Sequence, residues 1–218
     1  MIELTGYKDK HEYINKHGVK SVVYLMDNMD AMAQMGEKEF SLACVDPPYG
    51  IGISSNPVRQ QHKKKEWDTA TPNAEYFNQL MMVSVNQIIW GGNYFLDYLG
   101  ATQGFLIWNK KQPHDFSLAM CEMAWMSIQS PAKIWTRSVL SEQGKIHPTQ
   151  KPVALYDWIF HNYTKEGDTI FDSHLGSGSS RIAADKHNLP FTGIELDSDY
   201  FYAHCKRFDN YTKQLTLF

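Results

Sequence analysis

The segment TIFDSHLGSGSSRIAADKHNLPFTGIELD, residues 169–197, constrains the fold more than any other part of the chain. A short apolar run ends at Asp172, glycines stand at 176 and 178, a helical stretch opens, and a second apolar run ends at Glu195. Glycines in such a turn let backbone N–H groups approach a ligand. An acidic residue at the end of the next strand can grip both hydroxyls of a ribose. The spacing departs from GxGxxG, because Ser179 and Ser180 follow the second glycine, and no lysine marks a phosphate-binding loop. The pattern favours a nucleoside without a pyrophosphate over a dinucleotide; a tight structural turn is the competing explanation.

The rest of the chain repeats the alternation. Strands are expected at 19–27, over EFSLACV before Asp46, at NQIIWGG, at GFLIWNK, and around 168–172 and 190–197. Helices are expected at 28–36, with Asn28 as N-cap and Gly36 as C-cap, over NAEYFNQLMMVSV, at 151–164, after Gly178, and from Ser198 to Gln214. CEMAWMSIQ and AKIWTR read as two antiparallel strands. Trp90, Trp108 and Trp125 are most simply core residues of strands. Strands alternating with helices predict an α/β domain with a mostly parallel sheet covered on both faces.

The 218 residues suit one core, and 43% hydrophobic with 21% charged residues is an ordinary globular balance. No apolar run reaches the ~20 residues of a membrane span, and the N-terminus lacks a signal-peptide pattern. Cys44, Cys121 and Cys205 are isolated, without metal spacing, and read as reduced residues of a cytoplasmic protein. A net charge of −3 makes any basic surface local, and RQQHKKK offers one. There Arg59, His62, Lys63, Lys64 and Lys65 are candidate phosphate contacts, with Lys110 and Lys111 as further ones. A solvated loop is the plainer alternative.

The stretch CVDPPYGI ends an apolar run with a carboxylate, two prolines and an aromatic. The proline rings fix φ, remove two N–H donors and hold Asp46 extended, so acceptors are displayed rigidly at a strand end.

With both stretches in view, the sequence resembles the S-adenosylmethionine-dependent DNA amino-methyltransferases, in the permuted group whose catalytic D-P-P-Y precedes the glycine motif. Asp46-Pro47-Pro48-Tyr49 comes first, IHPTQKP (146–152) next, then FDSHLGSGSS (171–180); WGGNYF at 90–95 and WNK at 108–110 are also similar to the family. Ser173 and His174 stand where the family usually carries Pro and Phe.

The resemblance implies a Rossmann-like class I methyltransferase fold with seven strands, circularly permuted, as a single domain over 1–218. Residues 52–75 and 111–145 are then the candidate target-recognition insertions. It implies S-adenosyl-L-methionine as cofactor and double-stranded DNA as partner in a bacterial or phage-encoded protein. Catalysis falls to Asp46, Pro47, Pro48 and Tyr49. The cofactor contacts are Asp27, Thr149, Lys151, Asp172, His174, Gly176, Ser177, Gly178 and Glu195, although Asp27 reads equally well as a helix cap. Adenine N6 is the expected target because Asp opens the motif; cytosine N4 is the alternative, and an inactive DNA- or clamp-binding protein is the rival from another class. Dimers are common in the group. The tail at 212–218 ends in QLTLF, which looks like a peptide that docks on the bacterial sliding clamp through Gln214, Leu215, Leu217 and Phe218.

Overall fold

The structure is a computed structural model that describes residues 2–52, 70–113, 119–139 and 144–215. Arg59, His62, Lys63, Lys64, Lys65, Leu217 and Phe218 lie outside the described residues.

In chain order the elements are β1 (Asp9–Ile14), β2 (Lys20–Leu25), α1 (Asn28–Met32), β3 (Phe40–Val45), α2 (Ala74–Val83), β4 (Ser84–Trp90), β5 (Gly104–Asn109) and β6 (Cys121–Met126). Then follow β7 (Lys133–Thr136), α3 (Val153–Tyr163), β8 (Ile170–Asp172), α4 (Ser179–Lys186), β9 (Phe191–Glu195) and α5 (Ser198–Leu215). The strands form one sheet in the order β1-β2-β9-β8-β3-β4-β6-β5-β7. β2, β9, β8, β3 and β4 are mutually parallel neighbours, with Val23 opposite Gly193, Ile170 opposite Phe191 and Ala43 opposite Phe171.

Strand composition explains why both faces are covered. Val23, Leu25, Leu42 and Cys44 point into one core with Leu155, Ile159 and Phe160 of α3 and Phe201 of α5. The intervening Val22, Tyr24, Ala43 and Val45 point into the other core, with Met32 of α1 and Phe77 and Leu80 of α2. A strand apolar at consecutive positions must be buried on both sides, which is the signature of a parallel sheet between helical layers.

Among the described residues nine strands stand in place of the seven expected. The edges are β1, antiparallel to β2, and β7, parallel to β5. β1 reads DKHEYI, with no apolar alternation to announce it, because an edge strand at the surface buries little. β6 and β7 are not paired with each other, since β5 lies between them and pairs antiparallel with β6. Ten residues of the 111–145 candidate insertion, those of β6 and β7, are therefore sheet. Helix α1 is shorter than the 28–36 expected, and its N-cap is Asp27 rather than Asn28; the Asp27 carboxylate accepts from Met29 N at 2.7 Å and Asp30 N at 3.3 Å. Its C-cap is Ala33 rather than Gly36.

The turn from β8 to α4 depends on Gly178. Its φ is +68°, and a Cβ there would lie 2.0 Å from the buried His204 ring. Gly178→Ala therefore combines left-handed strain of ~1–2 kcal/mol with overpacking of ~1–3 kcal/mol. Gly18 has φ +77° but open space around it, so Gly18→Ala should lose only the strain. Urea denaturation of the two variants should separate them by about 1–3 kcal/mol; equal losses would mean that the helix α5 side of the turn yields freely.

Candidate active site

Parallel strands end at one edge of the sheet, and four of them deliver expected site residues there: Asp27 after β2, Asp46 after β3, Asp172 on β8 and Glu195 on β9; β4 brings Gly91 to the same edge. A cavity of about 380 Å³ opens at this edge. Asp27, Asp46, Thr149, Lys151, His174, Gly176, Ser177 and Glu195 all line it, so the proline motif and the glycine turn share one cleft.

On the glycine side, Glu195 accepts from Gly176 N and from Asp197 N, both at 2.8 Å. Burial nevertheless pushes its carboxyl up to about 7. Asp172 accepts from Ser180 Oγ at 2.6 Å and from His174 N at 3.1 Å, and burial pushes it up to about 7 as well. Glu195 lines the cavity, whereas Asp172 is 2% exposed and lies behind the lining. Arg207, on α5, donates to Ser177 O at 2.7 Å and fixes the turn from behind.

His174 is held in one tautomer. The Asn28 amide donates to its Nε2 at 3.0 Å, which leaves the proton on Nδ1, 3.0 Å from Ser173 Oγ and 3.4 Å from Tyr76 Oη. Burial holds its pKa down at about 4, so the ring is neutral near pH 7. Both nitrogens are spent on the protein, and the imidazole offers the cavity a flat, uncharged ring, as a phenylalanine does.

On the proline side, Asp46 is locked by two donors. Tyr49 Oη donates to Oδ1 at 2.6 Å, and the Lys151 ammonium pairs with Oδ2. Lys151 is 3% exposed and also reaches Glu122 at 3.1 Å and Tyr49 Oη at 3.2 Å. Glu122 in turn pairs with Lys110 at 2.5 Å. Burial would raise Glu122, but the Lys151 and Lys110 ammonium groups outweigh it and hold its carboxyl down at about 2. Burial would lower Lys151, yet the carboxylates of Asp46 and Glu122 raise it above its ordinary value. Asp46 moves up from the usual carboxylate range, because burial outweighs the Lys151 charge. Tyr49 stacks on the half-exposed Tyr94, with ring centroids 5.1 Å apart and planes at 16°. Gly91 makes this possible: its φ is +70°, and a Cβ there would fall 2.1 Å from the Tyr49 ring.

Several assignments shift. Lys151 turns its ammonium to Asp46 and Glu122 rather than leaving it free for a ligand's amino-acid portion. Thr149 lines the cavity, with its hydroxyl 3.0 Å from His147 Nδ1. Lys110 is 8% exposed and tied to Glu122, so it is not a phosphate contact on the surface; Lys111 is exposed. Asp27 both caps α1 and lines the cavity. Gln214 lies exposed in the last turn of α5.

Glu122 was not anticipated, although a signal exists. In CEMAWM it shares a face with Ala124 and Met126, both fully buried, so the period of two sends a carboxylate inward, where it needs a cation. Among the described residues no cluster of His, Cys, Asp and Glu is arranged to hold a metal ion, and no helix is long and apolar enough to cross a membrane.

A DNA methylase family model, N6_N4_Mtase, matches residues 107–206. The type II methyltransferase M2.DpnII of Streptococcus pneumoniae is 37% identical over 79 residues, 35% of this chain but only 30% of that relative's length. M2.MboI of Moraxella bovis is 23% identical over 88% of this chain and 89% of its own. Among solved structures, the M1.HpyAVI–SAM complex superposes with a TM-score of 0.61 at 18% identity, covering 85% of this chain and 98% of that one. The PvuII cytosine-N4-specific DNA methyltransferase does so at 0.64 and 14%, covering 86% of each. The sheet order β1-β2-β9-β8-β3-β4-β6-β5-β7 thus belongs to a chain that shares the fold of these methyltransferases. By motif order, the family match over residues 107–206 and the shared fold, the chain is similar to the N6/N4 DNA methylases.

Proposed function

We propose that the protein transfers the methyl group of S-adenosyl-L-methionine to the exocyclic amine of a base in double-stranded DNA, with adenine N6 as the target. The observation that carries this is the shared cavity: Asp46 of the proline motif and Gly176, Glu195 and their neighbours line the same 380 Å³ space. A nucleoside with a charged amino-acid arm fits the donor set. Glu195 accepts the ribose hydroxyls, Asp172 and the 176–178 turn hold the amino-acid end, and His174 lies flat beside them. When bound, the cofactor supplies an electrophilic methyl on a sulfonium.

An exocyclic amine is a poor nucleophile because its lone pair is delocalised into the ring. The Asp46 carboxylate and the Pro47 carbonyl accept its two hydrogens and favour a pyramidal nitrogen, with Tyr49 stacked on the base. The target is flipped out of the duplex, since no side chain reaches its amine inside the stack. Positive charge grows on the nitrogen during attack, and an ionised Asp46 stabilises that state more than the ground state. The surplus proton passes to Asp46, whose carboxyl burial has already raised, and from there to water.

Asp at the first motif position supports adenine, whereas the similarity to a cytosine-N4 enzyme keeps N4 as the second reading. Labelled-methyl transfer to mixed duplexes, followed by nucleoside analysis, should yield N6-methyladenine. N4-methylcytosine would move the assignment, and DNA binding without transfer would support the inactive rival. Asp46→Ala should lose at least ~100-fold in kcat while still binding cofactor; a variant within tenfold of wild type would remove Asp46 from the chemistry.

Cofactor binding should release protons. Glu195 and Asp172 sit at about 7 before binding, and hydroxyl and ammonium donors favour their ionised forms. Affinity should therefore rise as pH increases towards 7 and level off above it. Calorimetry in buffers of different ionisation enthalpy reads the release directly, and a pH-independent affinity between 5.5 and 8 would contradict the assignment. Deleting 214–218 tests the docking peptide separately: sliding-clamp binding by the full chain should disappear, and unchanged binding would rule the peptide out.

A further inference from the structure

We infer that Glu122 is a positioning residue for the methyl-accepting site: by sharing the Lys151 ammonium it leaves the Asp46 carboxylate an effective anion towards the target amine. This rests on the methyl-transfer reading and deepens it. The geometry is a chain of four charges, Asp46–Lys151–Glu122–Lys110, with Lys151 to Glu122 at 3.1 Å and Glu122 to Lys110 at 2.5 Å. Lys151 has three donors and three acceptors in reach, Asp46, Glu122 and Tyr49 Oη, so its ammonium is fully committed.

Charge balance gives the reason. Asp46 and Glu122 offset Lys151 and Lys110, and the group is neutral as a whole. Remove the charge on Glu122 and the remaining three sum to +1, beside the atom on which positive charge must grow. Asp46 would then face a cation with no other anion to hold it, and its acceptor strength would be spent on Lys151. The loop that carries Lys151 is fixed independently, by Ser179 Oγ donating to Lys151 O at 2.8 Å. The ammonium alone, not its backbone, is therefore what Glu122 governs. The other titratable groups facing this chain are Cys44 on β3, Asp172 on β8 and Tyr156 on α3, besides Tyr49. None of them contacts the Lys151 ammonium as Glu122 does.

The test compares the full-length protein with Glu122→Gln, which keeps the shape and removes the charge, and Glu122→Asp, which keeps the charge. In Glu122→Gln, kcat should fall ~10- to 100-fold with the KM for cofactor within about twofold. The acid limb of the kcat–pH profile should move to lower pH, since Glu122 helps raise Asp46. The Lys151 amine, followed by NMR of 13C-lysine-labelled protein, should titrate at lower pH than in the wild type, and Glu122→Asp should restore part of each effect. A folded Glu122→Gln protein with an unmoved acid limb and an unmoved Lys151 titration overturns the inference while leaving methyl transfer standing. A wild-type protein that transfers no methyl overturns the activity itself, and the Lys151 titration then still decides whether Glu122 holds the ammonium.

Discussion

Parallel pairing of β2, β9, β8, β3 and β4 is the constraint on which the rest of this structure depends. Strands that run the same way end at the same edge, so a carboxylate placed just past each apolar run arrives on one side of the molecule without any loop having to reach for it. Adjacent parallel strands lie ~4.8 Å apart. β3 and β8 are such neighbours, so Asp46 and Asp172 come close enough for the first to help raise the second. Two sequence motifs more than a hundred residues apart thus become one cleft through backbone hydrogen bonding alone.

Within that cleft the glycine turn shows how a departure in sequence can be absorbed by geometry. A histidine where an apolar ring is usual introduces two polar nitrogens and the risk of a charge. Asn28, Ser173 and Tyr76 satisfy both nitrogens, and burial keeps the ring neutral. What remains exposed to the cavity is the shape of an aromatic ring. The substitution changes the wiring behind the surface more than the surface itself.

The parallel centre of the sheet was legible in the sequence because its strands are apolar on both faces and punctuated by helices. The same holds for the cleft, since Asp46, Asp172 and Glu195 each follow such a run. What escaped was of two kinds. β1 is an edge strand of charged and polar residues, stabilised by backbone pairing to β2, and pairing has no signature in composition. Glu122 is a single charged residue in an apolar strand, and Lys110 directly follows another. Their meaning comes from cross-strand placement, with Trp108 opposite Glu122, and from Lys151 arriving from a distant loop. Lys110 was misplaced for that reason: a lysine after a strand suggests a surface cation, and only the paired register shows that it faces inward.

The buried charges also argue against a purely structural origin. Replacing a buried ion pair by well-packed apolar residues is often neutral or stabilising by ~1–4 kcal/mol, whereas removing one partner typically costs about 3–5 kcal/mol. A fold that needed only cohesion at the ends of β3 and β6 would do as well with leucines. A lysine that is 3% exposed between two carboxylates makes sense if the carboxylate facing the cavity has work that an apolar side chain cannot do. The proline pair at 47 and 48 restricts the backbone beside Asp46 and supplies no N–H that would compete for its oxygens. The Lys151 ammonium and the Tyr49 hydroxyl then fix the carboxylate itself, one on each oxygen. Each oxygen keeps a lone pair, so in the proposed methyl transfer the acceptor would be oriented before the amine arrives and would not have to reorganise as charge develops.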